Sequence, residues 1–274
     1  MSKPEKYGKQ IFENILIHNP DQGGSVVEVT GAMGSAKSSV LLTIASDVMK
    51  RNPTDKIFWS NTFNSPVQFP KIGKGNYIIL LEDKIITIHD RNKDSKEVNC
   101  GQVYFTDFKD LYTKAQPGKL NAVFFKDRAR WIDFVHYLRG VNQWCYILVD
   151  EMAEIAPAQM PGGEWNEKMK SFSNDLAELR KCFVSLIYNT QSVSDIDYRV
   201  RHKVMIKVYL PGARKDHVSR VTQKAIDNLK EDHIKGNQAY IEQFGKFGKL
   251  RFTKIFKPNE KIQLEVRSNE RKEQ

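Results

Sequence analysis

The run Gly31-Ala32-Met33-Gly34-Ser35-Ala36-Lys37-Ser38-Ser39 constrains this chain more than any other segment. It follows the spacing G-x-x-x-x-G-K-[ST] except at Ala36, which stands where the pattern has its second glycine. Small residues at this spacing let successive backbone N–H groups turn inward around phosphate oxygens. The context is the required one. An apolar β-type run, residues 25–30, enters the loop, and the helix-compatible run Ser39-Val40-Leu41-Leu42-Thr43-Ile44-Ala45 leaves it, adding the positive end of a helix to the same anion. Lys37 is expected to reach the β- and γ-phosphates and Ser38 to bind Mg²⁺. If residue 36 needs a positive φ, alanine there carries strain that glycine avoids.

Strand, loop and helix are followed by a break at Asn52-Pro53-Thr54-Asp55 and a second strand at Lys56-Ile57-Phe58-Trp59-Ser60, the order of a parallel α/β sheet. Residues 1–24 read as a polar lead-in, 25–210 as the core and 211–274 as a basic extension packed on it. Residues 62–126 interrupt the alternation. There, residues 76–82 and 84–89 suggest a β-hairpin across Glu82-Asp83, and 102–105 a further strand. Residues 127–139 carry Ile132, Val135, Tyr137 and Leu138 at helical spacing and end at Gly140. Beyond residue 210, residues 219–230 read as helix and 239–266 as short antiparallel strands.

The continuous apolar run Trp144-Cys145-Tyr146-Ile147-Leu148-Val149 suits a strand buried on both faces, and it ends in Asp150-Glu151. Two carboxylates at a strand end, one sheet unit after a phosphate loop, suit nucleotide hydrolysis. Asp150 would hold Mg²⁺, and Glu151 would orient or deprotonate the attacking water. Residues 182–188 form another buried strand that ends in Asn189-Thr190-Gln191, where Gln191 could contact the γ-phosphate or the water. The loop at residues 153–165 could project into a channel or serve as an irregular connection.

With 40% hydrophobic and 11% aromatic residues, the 274-residue chain has ample material for one large packed domain. Its lysines and arginines give a net charge of +10, concentrated after residue 198, as a phosphate-backbone partner would require. No apolar run approaches a membrane span, and residues 1–6 lack a signal-peptide pattern, so a cytoplasmic or virion-associated protein is expected. Cys100, Cys145 and Cys182 form no metal-ligand spacing and read as reduced thiols.

The loop at 31–38, the strand Ile147-Leu148-Val149-Asp150-Glu151, and Ile187-Tyr188-Asn189-Thr190-Gln191 followed by Asp195-Ile196-Asp197 and Arg199 resemble the HerA/FtsK superfamily of P-loop ATPases. From Asp150 to Arg201, with Glu178-Leu179-Arg180 ahead of the Gln191 strand, the chain also looks like the Zot-like phage proteins of that group. The resemblance implies a RecA-like (ASCE) α/β fold with a mostly parallel central sheet. In it the Gln191 strand lies between the phosphate-loop strand and the Asp-Glu strand. It further implies a homo-oligomeric ring, usually a hexamer, that moves DNA using ATP and Mg²⁺. Such rings complete each site with a neighbour's arginine. Arg201 and Arg199 come first here because they follow the Gln191 segment, with Arg180 and Arg214 behind them. The expected function is an ATP-driven DNA motor for packaging, transfer or end processing. The alternatives are a Zot-like morphogenesis ATPase and a degenerate nucleotide-binding protein that works as a structural or DNA-associated module.

Overall fold

Val26–Thr30 is buried at all five positions, which a strand achieves only when both its faces are covered. In the computed structural model this strand, β1, lies inside a ten-stranded sheet. The structure describes residues 3–60, 72, 75–82, 86–90, 102–159, 162–232, 238–252 and 264–268. Ahead of β1 lies α1 (Lys3–Leu16) and after it come α2 (Lys37–Arg51) and β2 (Lys56–Ser60). Then follow β3 (Tyr77–Glu82), β4 (Ile86–Asp90), β5 (Gln102–Phe105), α3 (Phe108–Lys114), β6 (Leu120–Phe124) and α4 (Arg130–Arg139). The chain continues through β7 (Cys145–Val149), α5 (Gly163–Glu178), β8 (Val184–Thr190), α6 (Tyr198–Arg201) and β9 (Ile206–Tyr209). It closes with α7 (Gln223–Asp232), β10 (Gln238–Gln243), β11 (Lys246–Arg251) and β12 (Leu264–Ser268).

The strand order is β11-β10-β9-β1-β8-β7-β2-β6-β3-β5. All pairings from β9 across to β5 are parallel, whereas β10 and β11 add an antiparallel edge. The strand leading to Gln191, β8, lies between β1 and β7, as the resemblance implied. Alternate side chains divide the core into two layers. Val27 and Val29 of β1 pack with Leu41, Ile44 and Val48 of α2 and with Ile11 and Ile15 of α1. On the opposite face Ile147 and Leu186 pack with Phe134 of α4, Phe172 of α5 and Val200 of α6. Helices on both faces of a parallel sheet place the ends of its strands, and the loops that follow them, at the surface.

Two sequence expectations change. Residues 3–16, read as polar lead-in, form α1, whose Ile11, Phe12, Ile15 and Leu16 are buried. This apolar stripe repeats at helical spacing, but it is short and diluted by lysines and glutamates, which hid it. A Cβ on Gly8 would stand 2.2 Å from the Lys249 carbonyl oxygen, so this glycine lets the helix approach β11. The hairpin expected from residues 76–89 does not form either. β3 is flanked on both sides by parallel partners, β6 and β5, and β4 pairs antiparallel with β12 in a separate two-stranded sheet. The physical reason is burial: β3 is buried at all six positions, the signature of an interior parallel strand and not of a surface hairpin.

Cys145 and Cys182 are free thiols, and Cys100 lies outside the described residues. Among the described residues no helix is long and apolar enough to cross a membrane.

Candidate active site

The loop after β1 is held from below. Ala32 N–H donates to the Pro211 carbonyl at 3.2 Å, and Ser35 N–H closes a turn on Ala32 at 3.1 Å. Gly31 permits the crowding there, since a Cβ on it would stand 2.3 Å from Ser35 Oγ. Gly34 has φ 75° with nothing near its absent Cβ, and Met33 is 83% exposed on the rim. Ala36 caps α2 with φ 69° and ψ 28°, so the position that the pattern reserves for glycine is left-handed and alanine occupies it. The left-handed conformation costs an L-residue roughly 1–2 kcal/mol. Glycine would remove that strain but loosen the unfolded chain by about 0.4–1 kcal/mol. Ala36→Gly is therefore expected to raise the thermal midpoint by about 1–3 °C, read by calorimetry; a lower midpoint would show that the loop is not strained here.

No side chain caps α2, so the N–H groups of Lys37, Ser38 and Ser39 lead the helix without an intrahelical acceptor. Ser35 Oγ is buried and has no hydrogen-bond partner among the described residues. Lys37 is 9% exposed, and its Nζ donates to the Gly31 and Ala32 carbonyls, each at 3.0 Å. Burial lowers its ammonium from the ordinary lysine range, while Glu151 and Asp150 pull the other way. A loop with unpaired donors, a buried cation and an orphaned hydroxyl fits a phosphate chain.

The sheet register brings the acids to this loop. Thr30 lies beside Thr190, and Val149 beside Tyr188, so Asp150 follows next to Asn189. Ser38 Oγ donates to Asp150 Oδ1 at 2.7 Å across 112 positions of sequence. This pair of hard oxygen donors suits Mg²⁺, which binds one or two protein ligands and takes the rest from phosphate and water. Glu151, the first residue beyond Asp150, has φ 71° and ψ 85°. That conformation in a non-glycine residue costs about 1–3 kcal/mol and persists only where the surroundings enforce it. Burial raises its carboxyl above the usual range, against a hydrogen bond from Thr190 and the Lys37 ammonium. Beyond it, Met152, Ile155 and Ala156 are buried. Ala158 N–H reaches the Asp195 carbonyl at 2.8 Å, and Asp197 N–H the Ala156 carbonyl at 3.0 Å. The start of the 153–165 loop thus packs against the segment that follows Gln191.

Gln191 is exposed directly beyond β8, one position past the Thr30–Thr190 pair and therefore level with Gly31. The four arginines are placed differently. Arg199 is engaged within its own chain, forking onto Asp197 at 2.9 and 2.7 Å and onto Asn166 at 2.9 and 3.2 Å. Arg201 is half-buried, and its charge acts on Glu28, Tyr188 and Asp197. Arg214 is exposed just after Pro211-Gly212, on the strand edge that carries the loop, and Arg180 is exposed at the opposite edge, ahead of β8.

The sequence reading gave no part to three residues near the acids. Asn189 lies between Asp150 and Glu151, touching both. Arg128 pairs with Glu154 at 3.0 Å, and the Glu154 carboxyl is raised by burial, with Arg128 opposing. Only Asn189 carried a sequence signal, a polar residue inside an otherwise apolar strand.

No protein-family model matches the chain, and no curated protein matches it in sequence. Solved structures do. The genome packaging NTPase B204 from Sulfolobus turreted icosahedral virus 2, in complex with AMPPCP, has a TM-score of 0.52 at 12% identity over 85% of this chain and 98% of that one. B204, the DNA-packaging ATPase from Sulfolobus turreted icosahedral virus, gives 0.50 at 13% identity over 84% and 98%. The N-terminal domain of zonular occludens toxin from Neisseria meningitidis gives 0.39 at 14% identity over 81% and 94%. The first two likenesses establish architecture. The chain shares the mostly parallel α/β fold of these two packaging NTPases.

Proposed function

We propose that the chain is an ATP-hydrolysing, Mg²⁺-dependent motor that acts on DNA. The observation that carries this reading is the 2.7 Å contact between Ser38 and Asp150, which joins the phosphate loop to the Asp-Glu strand end. Backbone N–H groups from residues 33–39 would cradle the phosphates, and Lys37 would exchange its two loop carbonyls for phosphate oxygens. Ser38 and Asp150 would hold Mg²⁺, which when bound draws charge from the phosphate oxygens. Glu151 would accept a proton from water as its oxygen attacks the γ-phosphorus and the bond to the bridging oxygen breaks, releasing ADP and phosphate. Gln191, level with Gly31, would sense the γ-phosphate. An arginine of a neighbouring subunit would steady the developing charge. Arg214, exposed on the loop edge, suits this task better than Arg199, whose guanidinium is engaged in its own chain.

The DNA part rests on the net charge of +10 and on the packaging role named for the two B204 structures. A basic surface binds the phosphate backbone through counterion release. The working form is proposed as a homo-oligomeric, six-membered ring of the core at 25–210, with 211–274 as a basic extension. An ATPase assay with and without duplex or single-stranded DNA, run beside particle sizing with and without nucleotide, tests this. Turnover should rise several-fold with DNA, the rise should fade as salt increases, and nucleotide should shift the particle to ring size. Turnover indifferent to DNA would contradict the motor. Tight nucleotide binding without any turnover would favour the degenerate binding module.

A further inference from the structure

Asn189 is buried to 1% exposure, second from the end of β8, and nothing in the phosphate loop or in Gln191 gives it a task. Its Oδ1 accepts the Glu151 N–H at 2.9 Å, and its Nδ2 donates to Asp150 Oδ1 at 2.5 Å. The donor at Glu151 and the acceptor at Asp150 together fix which way the amide faces. Asp150 Oδ1 also takes the Ser38 hydroxyl at 2.7 Å, so one carboxylate oxygen collects both donors. Glu151 follows the end of β7 in a left-handed conformation, φ 71°. Asn189 supplies the side-chain acceptor for this N–H.

We infer that Asn189 is a positioning residue for the hydrolytic site, its single side-chain amide setting both the Asp150 carboxylate and the backbone turn that carries Glu151. The inference rests on the ATPase reading and deepens it. Because the amide belongs to β8, the strand that leads to Gln191, any movement of that strand end would reach both acids together. An apolar residue of similar size would fill the same space in the sheet but take the acceptor from the Glu151 N–H and one of two donors from Asp150 Oδ1.

Asn189→Ala and Asn189→Asp in the full chain test this. The first removes both contacts; the second keeps an acceptor for Glu151 N–H but loses the donor to Asp150. At a temperature where thermal unfolding shows the variants folded, kcat for ATP should fall about 10–100-fold, the usual loss for a group that orients a metal ligand. KM should stay within about threefold, because nucleotide binding is left to the loop. In nucleotide-free protein the Glu151 amide should exchange hydrogen faster in Asn189→Ala than in wild type, and should stay protected in Asn189→Asp. A purely packing role would move the unfolding midpoint and neither of these readouts. Asn189→Ala with turnover within about twofold of wild type, or with the Glu151 amide as protected as before, overturns the inference. If Asn189→Ala does not fold, Asn189→Asp decides: lost turnover with a protected Glu151 amide supports it, and unchanged turnover overturns it. If wild type itself hydrolyses no ATP, the ATPase reading fails separately, and Glu151 amide exchange alone then decides the role of Asn189.

Discussion

Replacing Glu151 by glutamine should stop ATP turnover and leave nucleotide bound. Glutamine keeps the shape and the backbone turn but cannot take a proton. A positioned general base contributes about 10²–10⁴-fold, and kcat should fall by about that factor. Affinity should hold or tighten. The Glu151 charge lies close enough to act on Lys37, and removing it lessens repulsion toward a triphosphate bound at that lysine. The burial that raises the carboxyl also makes its anion a stronger proton acceptor than a solvated glutamate. Single-turnover kinetics beside an equilibrium titration would separate the two effects. Turnover reduced only a few-fold would remove Glu151 from the chemistry and point to another base.

The second large effect is expected at Lys37. Its ammonium makes two hydrogen bonds inside the loop, and on binding it would exchange them for bonds to phosphate. Hydrogen bonds to a charged group are worth about 1.5–3 kcal/mol each. Losing about 3 kcal/mol corresponds to roughly a hundredfold weaker binding. Lys37→Ala should therefore bind an ATP analogue about a hundredfold less tightly and show no measurable turnover. The same change takes a donor from the Gly31 and Ala32 carbonyls, the latter keeping the Ser35 N–H, so thermal unfolding of the variant must be read beside the titration. Unchanged affinity would mean that nucleotide, if bound, sits away from this loop.

Much of the candidate site was legible in the sequence because it is built from local rules. A strand, a small-residue loop and a helix start must be contiguous in sequence, so Gly31, Gly34, Lys37 and Ser38 announce themselves. The positive φ that the sequence posed only as a condition at position 36 is there, with alanine in it. Asp150 and Glu151 were visible because a doubly buried strand has no alternation to confuse its end. What stayed hidden depends on distant partners. The burial of α1 is decided by β11, more than 200 residues later, through an approach that Gly8 makes possible. The partners of β3 are fixed by β5 and β6, and its apolar run could not by itself distinguish a hairpin arm from an interior parallel strand. Asn189 read as one more strand-end polar residue, because its two partners lie 38 and 39 positions away. The engagement of Arg199 with Asn166 is likewise a tertiary fact, invisible to any ranking by order along the chain.

The central claim is that Lys37 and Glu151 meet at one terminal phosphoryl group. An experimental structure of the chain with Mg²⁺ and a non-hydrolysable ATP analogue tests it most directly. The γ-phosphate should contact Lys37 Nζ, with the Glu151 carboxylate facing it across one water and Ser38 and Asp150 around the metal. A γ-phosphate bound out of reach of either side chain would contradict the account.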